Sequence, residues 1–585
     1  MKFLRFKTVK KALNSLKVRT RRNTQDVTND RPRAGPETPV TVKQPEANAS
    51  EVCPPASYIT RLPDELLILI FEFVHACYFG ERYYGSFYEW LGILRVCTHW
   101  RDVMISTSRL WSVIPVTNDL NPLEYCLSLH GNTPLEIRMY DPWLPRRSST
   151  LLRPHTPSIR SLALHMMHMN RENFPFDDML TMNIPDLEEL KILPEFVFED
   201  RIPPRSVIRL QKYPRLRHLE LRGVISPPDI TNLRTIKLEK CSWAFSFQSF
   251  LRALDGCSQL AEIHLKQSLH SLARTAPQEI PASLRRATLP NLRKLDITDN
   301  TASIVSTVIA HLDTPVLASL RLVCYKPRIA QDEEAQASDS DSENLFRTLI
   351  PADPSRVLPK FPPEAGPFSA SLAFMQGLCI VRVESTVLPF PLSVNLQVQY
   401  NLDWTRVFPA ALQDISDLFG NSIVTELVVD ASSSHILPSI WEDLFTSLPF
   451  LQRLELTSDG TCTTMWQGLQ RASAWAAQPC CPQLARVRVQ HTPWPEEHYV
   501  APPDERALEI IAEALRERAE YGAKLDELVW AVYLHHRDPD YADASRVQFL
   551  APLVPLVKRM TYRTWGDGDK TETTFSPKKI VLSPL

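Results

Sequence analysis

The side chains best suited to bond-making chemistry are scattered along this 585-residue chain. Cys480-Cys481 is an adjacent thiol pair with no second pair to complete a tetrahedral metal set, so it does not read as a zinc site. His165, His168 and His535-His536 have no Cys or carboxylate at ligand spacing and read as strand-end or surface histidines. Gly566-Asp567-Gly568-Asp569 lacks the remaining ligands of a calcium loop and reads as a turn. No Gly-x-x-x-x-Gly-Lys-Ser/Thr, Gly-x-Gly-x-x-Gly, Gly-x-Ser-x-Gly or His-Glu-x-x-His occurs. With 15 glycines against 49 prolines, Gly-rich phosphate loops are disfavoured and short elements stopped by proline are expected. No catalytic, cofactor-binding or metal-binding residue is assigned, and the chain reads as non-catalytic.

The informative chemistry is apolar contact, and it needs helices to present it. Leu62-Pro63-Asp64-Glu65 opens one. Pro63 suits the first turn, where its missing N–H is not needed, and Asp64 and Glu65 suit the positive end of the helix dipole. Leu66, Leu67, Ile68, Leu69, Ile70, Phe71, Phe73 and Val74 then follow almost without a break. A helix apolar all round must be covered on several sides, by the rest of the chain or by a partner. A second helix is expected from Glu89 to about Met104. There Ile93, Val96/Cys97, Trp100 and Val103/Met104 keep the i, i+3, i+4, i+7 rhythm of one buried face. Leu110-Trp111 closes the segment.

Residues 57–118 resemble the F-box. The matches are Leu62-Pro63-Asp64-Glu65, Ile70-Phe71, Val96-Cys97-Thr98-His99-Trp100-Arg101 and Leu110-Trp111, in the family's order. One departure is the long aromatic-rich connection from His75 to Tyr88, where the family's link is shorter. The resemblance implies a three-helix unit that docks the Skp adaptor of a cullin-RING ubiquitin ligase. Carried over by position, Leu62, Pro63, Leu66, Ile70, Val96, Cys97 and Trp100 form the adaptor-binding surface or its immediate support. A compact apolar patch with an aromatic anchor is the usual make-up of an interface hot spot. Leu69, Phe73 and Trp100 equally suit the module's own core.

A second pattern, Pro-x-aliphatic-x-x-aliphatic-x-aliphatic, starts at Pro157, Pro185, Pro214, Pro290, Pro315, Pro449 and Pro482. Chance supplies fewer than about one such match in a chain of this make-up. Copies without the proline fall at Leu233/Ile236/Leu238, Leu260/Ile263/Leu265, Val424/Leu427/Val429 and Leu525/Leu528/Trp530. Spacings of 28, 29, 25 and 33 residues between neighbouring proline copies resemble leucine-rich repeats, in degenerate form. Each repeat is then a short strand followed by a helix or loop, unstable alone, with the strands lining one concave face. Residues 124–140 read as a helix and a first, capping strand. Whether 367–420 continue the array or form a separate cap is open, and Leu378/Val381/Val383 hints at one more repeat. Trp441, Trp466, Trp475, Trp494 and Trp530 suit the core; any that is exposed is a candidate target anchor.

The flanks differ in kind. Residues 1–22 hold nine Lys or Arg and no acid, so the rest of the chain carries −11 against −2 overall. That tail fits an amphipathic surface binder, a nuclear-import patch, a mitochondrial transit peptide or a plain solvated tail. Residues 23–56 carry prolines and no Leu, Ile, Met or aromatic side chain, and read as a disordered linker. Residues 331–366, acidic and then proline-rich, read as a disordered insertion dividing the array into 119–330 and 367–585. Within it, Ser338, Ser340 and Ser342 suit an acid-directed kinase. Eleven scattered cysteines fit a reducing, cytoplasmic or nuclear setting. The longest apolar stretch, 66–74, is too short to cross a bilayer.

The expected architecture is α+β: an N-terminal three-helix F-box followed by an irregular leucine-rich-repeat-like α/β solenoid. The expected function is a substrate-recognition subunit of a Skp–cullin–F-box ubiquitin ligase, with a protein target on the repeats and no small-molecule substrate or cofactor. The alternative is a protein-binding scaffold without coupling to a ligase.

Overall fold

In the segment His218–Arg222, Leu219 and Leu221 are buried while His218, Glu220 and Arg222 line the other side. Side chains of a strand alternate between its faces, so x-Leu-x-Leu-x has one apolar and one polar face. Repetition of that alternation builds the main sheet. The computed structural model describes residues 62–79, 87–140, 145–166, 177–194, 210–223, 225–226, 230, 232–243, 246–269, 286–299, 302–325, 346–347, 349–350, 367–375, 378–385, 393–399, 404–419, 423–430, 436–458, 462–474, 479–491, 505–533, 550–565 and 570–575. By contacts the chain divides between Leu62 and Pro63, and of the first unit only Leu62 is among the described residues.

Eighteen strands of the second unit form one mostly parallel sheet, and with its helices the fold is mixed α/β. The first nine are β1 (Val113–Val116), β2 (Leu135–Met139), β3 (Ile159–Met166), β4 (Glu189–Pro194), β5 (His218–Arg222), β6 (Thr235–Glu239), β7 (Glu262–Lys266), β8 (Lys294–Asp299) and β9 (Ser319–Tyr325). They pair parallel in chain order. Then come β10 (Phe368–Met375), β11 (Leu378–Glu384) and β12 (Ser393–Gln399). The last six are β13 (Val424–Asp430), β14 (Arg453–Ser458), β15 (Arg486–His491), β16 (Glu527–Tyr533), β17 (Arg559–Trp565) and β18 (Lys570–Phe575). Strands β13 to β17 are again parallel in chain order, and β18 closes the edge antiparallel.

Parallel neighbours need crossover connections. Several are helical: α4 (Asn121–Leu129), α5 (Pro145–Leu152), α6 (Asp177–Thr181), α7 (Phe247–Asp255), α8 (Ala302–Ala310), α10 (Pro438–Ser447), α11 (Thr463–Ala474) and α12 (Glu505–Glu520), whereas α9 (Trp404–Phe419) joins β12 to β13, which are not neighbours. Ahead of the sheet lie α1 (Asp64–Phe79), α2 (Phe87–Leu91) and α3 (Thr98–Ser106). Helices α9 to α12 pack side by side, and Trp441, Trp466 and Trp530 are fully buried as core.

The recurring proline has a local cause. The N–H two residues after each proline donates to the carbonyl of the residue before it. This holds for Ile159 to Thr156, Leu187 to Ile184 (3.2 Å), Leu216 to Tyr213 (3.0 Å), Leu292 to Leu289 (3.2 Å), Leu317 to Thr314 (3.3 Å), Leu451 to Leu448 (3.2 Å) and Leu484 to Cys481 (2.9 Å). The proline is the second residue of a β-turn, where its fixed φ is already correct. Leu260 makes the same bond to Cys257 at 3.0 Å without a proline. The residue after the turn then donates to the preceding strand, as Arg293 does to Ala261 and Ala318 does to Arg293, both at 2.9 Å.

The structure departs from expectation at four places. The helix expected over 89–104 is broken: α2 gives way to a 3-10 turn at Gly92–Arg95, and α3 begins at Thr98. Cys97 is extended (φ −161°, ψ 169°), and its Sγ accepts the Trp100 N–H at 3.4 Å, capping α3. Second, the sheet already begins with β1, inside the span 57–118. Third, Leu378, Val381 and Val383 form a strand that runs antiparallel to both neighbours. Strands β10, β11 and β12 are a meander inserted in reverse order: β12 pairs parallel with β9, and β10 pairs parallel with β13. Fourth, the far end of the insertion belongs to the fold. Phe346, Leu349 and Ile350 are buried, and Asp414 of α9 accepts the Phe346 N–H at 2.6 Å. The basic tail, the 23–56 linker, Ser338, Ser340, Ser342 and residues 80–86 of the His75–Tyr88 connection lie outside the described residues.

Candidate docking surface

Helix α1 starts where the Pro63 carbonyl accepts the N–H groups of Leu66 and Leu67, both at 3.1 Å. Leu67, Phe71 and Val74 recur at helical spacing and are buried, so they are the side that α1 turns to its own module. Trp100 of α3 packs edge-on against Phe71, with ring centroids 5.2 Å apart. Glu72 pairs with Arg109, and Asp64 pairs with His99 at 3.4 Å. The Trp111 indole donates to the Met104 carbonyl at 2.8 Å and fixes the end of α3.

Among the described residues nothing covers the other side of α1. Leu66, Leu69, Ile70 and Phe73 follow the same i, i+3, i+4, i+7 rhythm and are 47%, 57%, 40% and 49% exposed. Four large apolar side chains on one helical stripe are a contiguous patch, unlike a scattered surface leucine. Of the residues assigned from sequence, Pro63 is exposed, Leu66 and Ile70 lie in the stripe, and Val96 is 54% exposed beside the cap of α3. Cys97 and Trp100 are half-buried and hold the module together, and Leu62 is half-buried at the boundary. Leu69 and Phe73, which suited the core equally in sequence, belong to the stripe. The Trp100 Nε1–H is buried without an acceptor among the described residues.

The C-terminal end of α1 is tied to the sheet. Arg138 of β2 donates to the Phe79 carbonyl at the end of α1 and pairs with Glu136 at 2.5 Å. His75 sits between the rings of Phe79 and Trp90, at 4.5 and 5.0 Å. Burial, and then the nearby Arg138 charge, lower its pKa to about 4, so it is neutral at physiological pH. Because the stripe itself supports no core, Leu69→Ala and Phe73→Ala are each expected to stay within about 0.5 kcal/mol of wild type. Thermal denaturation checks this; a loss near 3 kcal/mol would mean that something covers the stripe.

The polar face of the sheet is a second surface. Lys191, Glu220, Lys237, His264, Asp296 and Arg321 stand in register on six successive strands, β4 to β9. Opposite charges mostly alternate along the row, and a groove of about 310 Å³ runs over it from Glu220 to Arg321. Lys266 and Arg222 reach Glu239 at 2.7 and 3.0 Å, while Arg321 and His264 reach Asp296 at 3.3 and 3.5 Å. Burial opposes ionisation of Asp296, but the hydrogen bond from His264 and the Arg321 charge outweigh it and hold its pKa below the usual carboxylate value. A face of paired, mixed charges selects for matching charge pattern rather than for one sign.

Among the described residues no group of three or more His, Cys, Asp or Glu is placed to hold a metal ion, and no helix is long and apolar enough to cross a membrane. No family model matches the chain, and no curated protein matches it.

Proposed function

We propose that the chain is the substrate-recognition subunit of a Skp–cullin–F-box ubiquitin ligase, with α1 to α3 as an F-box and the parallel sheet with its crossovers as a degenerate leucine-rich-repeat array. The observation that carries this reading is the exposed stripe Leu66, Leu69, Ile70 and Phe73, on the helix that opens with Leu62-Pro63-Asp64-Glu65. Four large apolar residues on a helix face that no described residue covers support a partner there. The turn-strand repeats with a polar outer face supply a long surface for a protein target. The mechanism is positioning. The adaptor holds α1, the sheet holds the target, and tethering raises the target's effective concentration at the ubiquitin-loaded enzyme. The contact from Arg138 to the end of α1 would transmit that geometry without a flexible joint.

The test is titration of the full chain with purified Skp adaptor, beside Leu66→Asp/Ile70→Asp. Both positions are exposed, so the variant is expected to melt with the wild type while binding falls at least about 50-fold, because a desolvated charge cannot sit in an apolar interface. A folded wild type that fails to bind would overturn the ligase reading and leave the uncoupled scaffold.

A further inference from the structure

The pair Cys480-Cys481 is where three helices of the second half meet. Arg518 of α12 is 2% exposed and has no carboxylate partner among the described residues. Its guanidinium donates instead to the carbonyls of Cys480 at 2.6 Å and Cys481 at 3.1 Å. The Cys480 N–H donates to Ser473 Oγ near the end of α11 at 3.1 Å. Cys481 Sγ lies 3.3 Å from the carbonyls of both Phe445 and Leu448, at the end of α10. Cys481 itself holds a left-handed backbone, φ +48°, which a non-glycine residue adopts only under outside constraint. The two sulfurs are 3.9 Å apart. Cys481 is buried, and Cys480 is half-buried and open to a small reagent.

We infer that Cys480-Cys481 is a reversible thiol-oxidation site that takes a peroxide-class oxidant and closes to a vicinal disulfide. The chemistry divides unequally between the thiols. The hydrogen bond with Cys481 holds the Cys480 pKa below that of an ordinary thiol; burial opposes this and Arg518 assists it, while the same contact and burial push Cys481 far up. Cys480 is therefore the more acidic of the two thiols and, being the more exposed, the one that attacks. Its sulfur bonds to one peroxide oxygen, the O–O bond breaks, and the departing hydroxide takes up a proton to leave as water. Cys480 is then a sulfenic acid. Cys481 sulfur next attacks the Cys480 sulfur. The S–S bond forms, the S–O bond breaks, and the hydroxide leaves as a second water with the Cys481 proton. Two thiols have lost two electrons, and one peroxide has become two waters.

The product is labile and has a structural consequence. Neighbouring Cα atoms are about 3.8 Å apart across a trans peptide, below the usual disulfide span of about 4.4–6.8 Å. Such a bond is strained and readily reduced. Closing the sulfurs from 3.9 Å draws Cys481 Sγ off the two carbonyls at the end of α10.

The test treats the full chain with hydrogen peroxide and maps the thiols by mass spectrometry. The peptide holding both cysteines is expected to lose two hydrogens and regain them with dithiothreitol. It is expected to react at least about tenfold faster than half-buried Cys77, whose pKa burial raises. In Cys481→Ser, Cys480 is expected to stop at a sulfenic acid trapped by dimedone. Amide exchange of residues 444–448 is expected to rise on oxidation of the wild type. Both thiols surviving, oxidation past the sulfenic stage without a disulfide, or oxidation no faster than at Cys77 would each overturn the inference.

Discussion

Gly468→Ala is expected to destabilise the packing of α10 on α11 by about 3 kcal/mol or more, although alanine is the better helix former by about 1 kcal/mol. A Cβ at Gly468 would run into Trp441 Cβ and stand 2.7 Å from the Pro438 carbonyl oxygen and 3.0 Å from the Glu442 nitrogen. Two of those three atoms are backbone, and the third is the first atom of a fully buried tryptophan. None can swing aside as a flexible side-chain tip would. Relief requires α10 to move away, which would uncover Trp441 and Trp466. Amide exchange over 438–474 is the suitable readout, because it reports the local opening of these two helices. Unchanged or slower exchange in Gly468→Ala would show that the helices are not packed this closely.

The second large effect is one of pH, at Asp414. Its carboxylate, 2% exposed on α9, accepts the N–H groups of Phe346 and Arg347 at 2.6 and 3.4 Å. Arg347 also pairs with Asp417. Burial raises the Asp414 pKa to about 6 from 3.8, against the lowering effect of the two backbone donors. The folded chain therefore holds this proton more tightly than the unfolded chain. The resulting stability is fully present below about pH 4 and is lost as pH rises through about 6. A shift of this size corresponds to about 3 kcal/mol. Comparing wild type with Asp414→Asn isolates the group, since other titrations cancel. Their stability difference is expected to change by about 3 kcal/mol between pH 4 and pH 7, with the wild type losing ground as pH rises. A difference that is flat with pH would show that the carboxylate is solvated.

Local signals were legible in the sequence wherever contrast existed. The proline copies mark the turns that enter β3, β4, β5, β8, β9, β14 and β15, because proline's fixed φ leaves a trace that needs no tertiary context. The alternating leucines marked the buried side of each strand for the same reason. In α1 contrast was missing. Every position from 66 to 71 is apolar, so the period alone could not say that Leu67 and Phe71 face inward while Leu69 and Phe73 face out. Only packing against Trp100 and its neighbours decides that. The break before α3 was hidden because cysteine is an uncommon cap beside Ser, Thr, Asn and Asp. The reversed meander was hidden because antiparallel and parallel strands alternate alike. Arg518 and Asp414 meet partners 38 and 68 residues away, and no short window contains both ends.

The reversed order of β10, β11 and β12 also has a bearing on how the chain is made. Each of the first eight strands finds its next neighbour soon after leaving the ribosome, because the next strand in sequence is the next in the sheet. Strand β9 is different. Its partner β12 begins 68 residues beyond Tyr325, at Ser393. At roughly 5–20 residues per second, translation leaves the β9 edge waiting about 3 to 14 seconds. During that time a row of N–H and C=O groups lacks its strand partner, with the charge of Arg321 to discourage a wrong strand from joining. Translation of residues 326 to 392 therefore sets how long this edge waits for its partner.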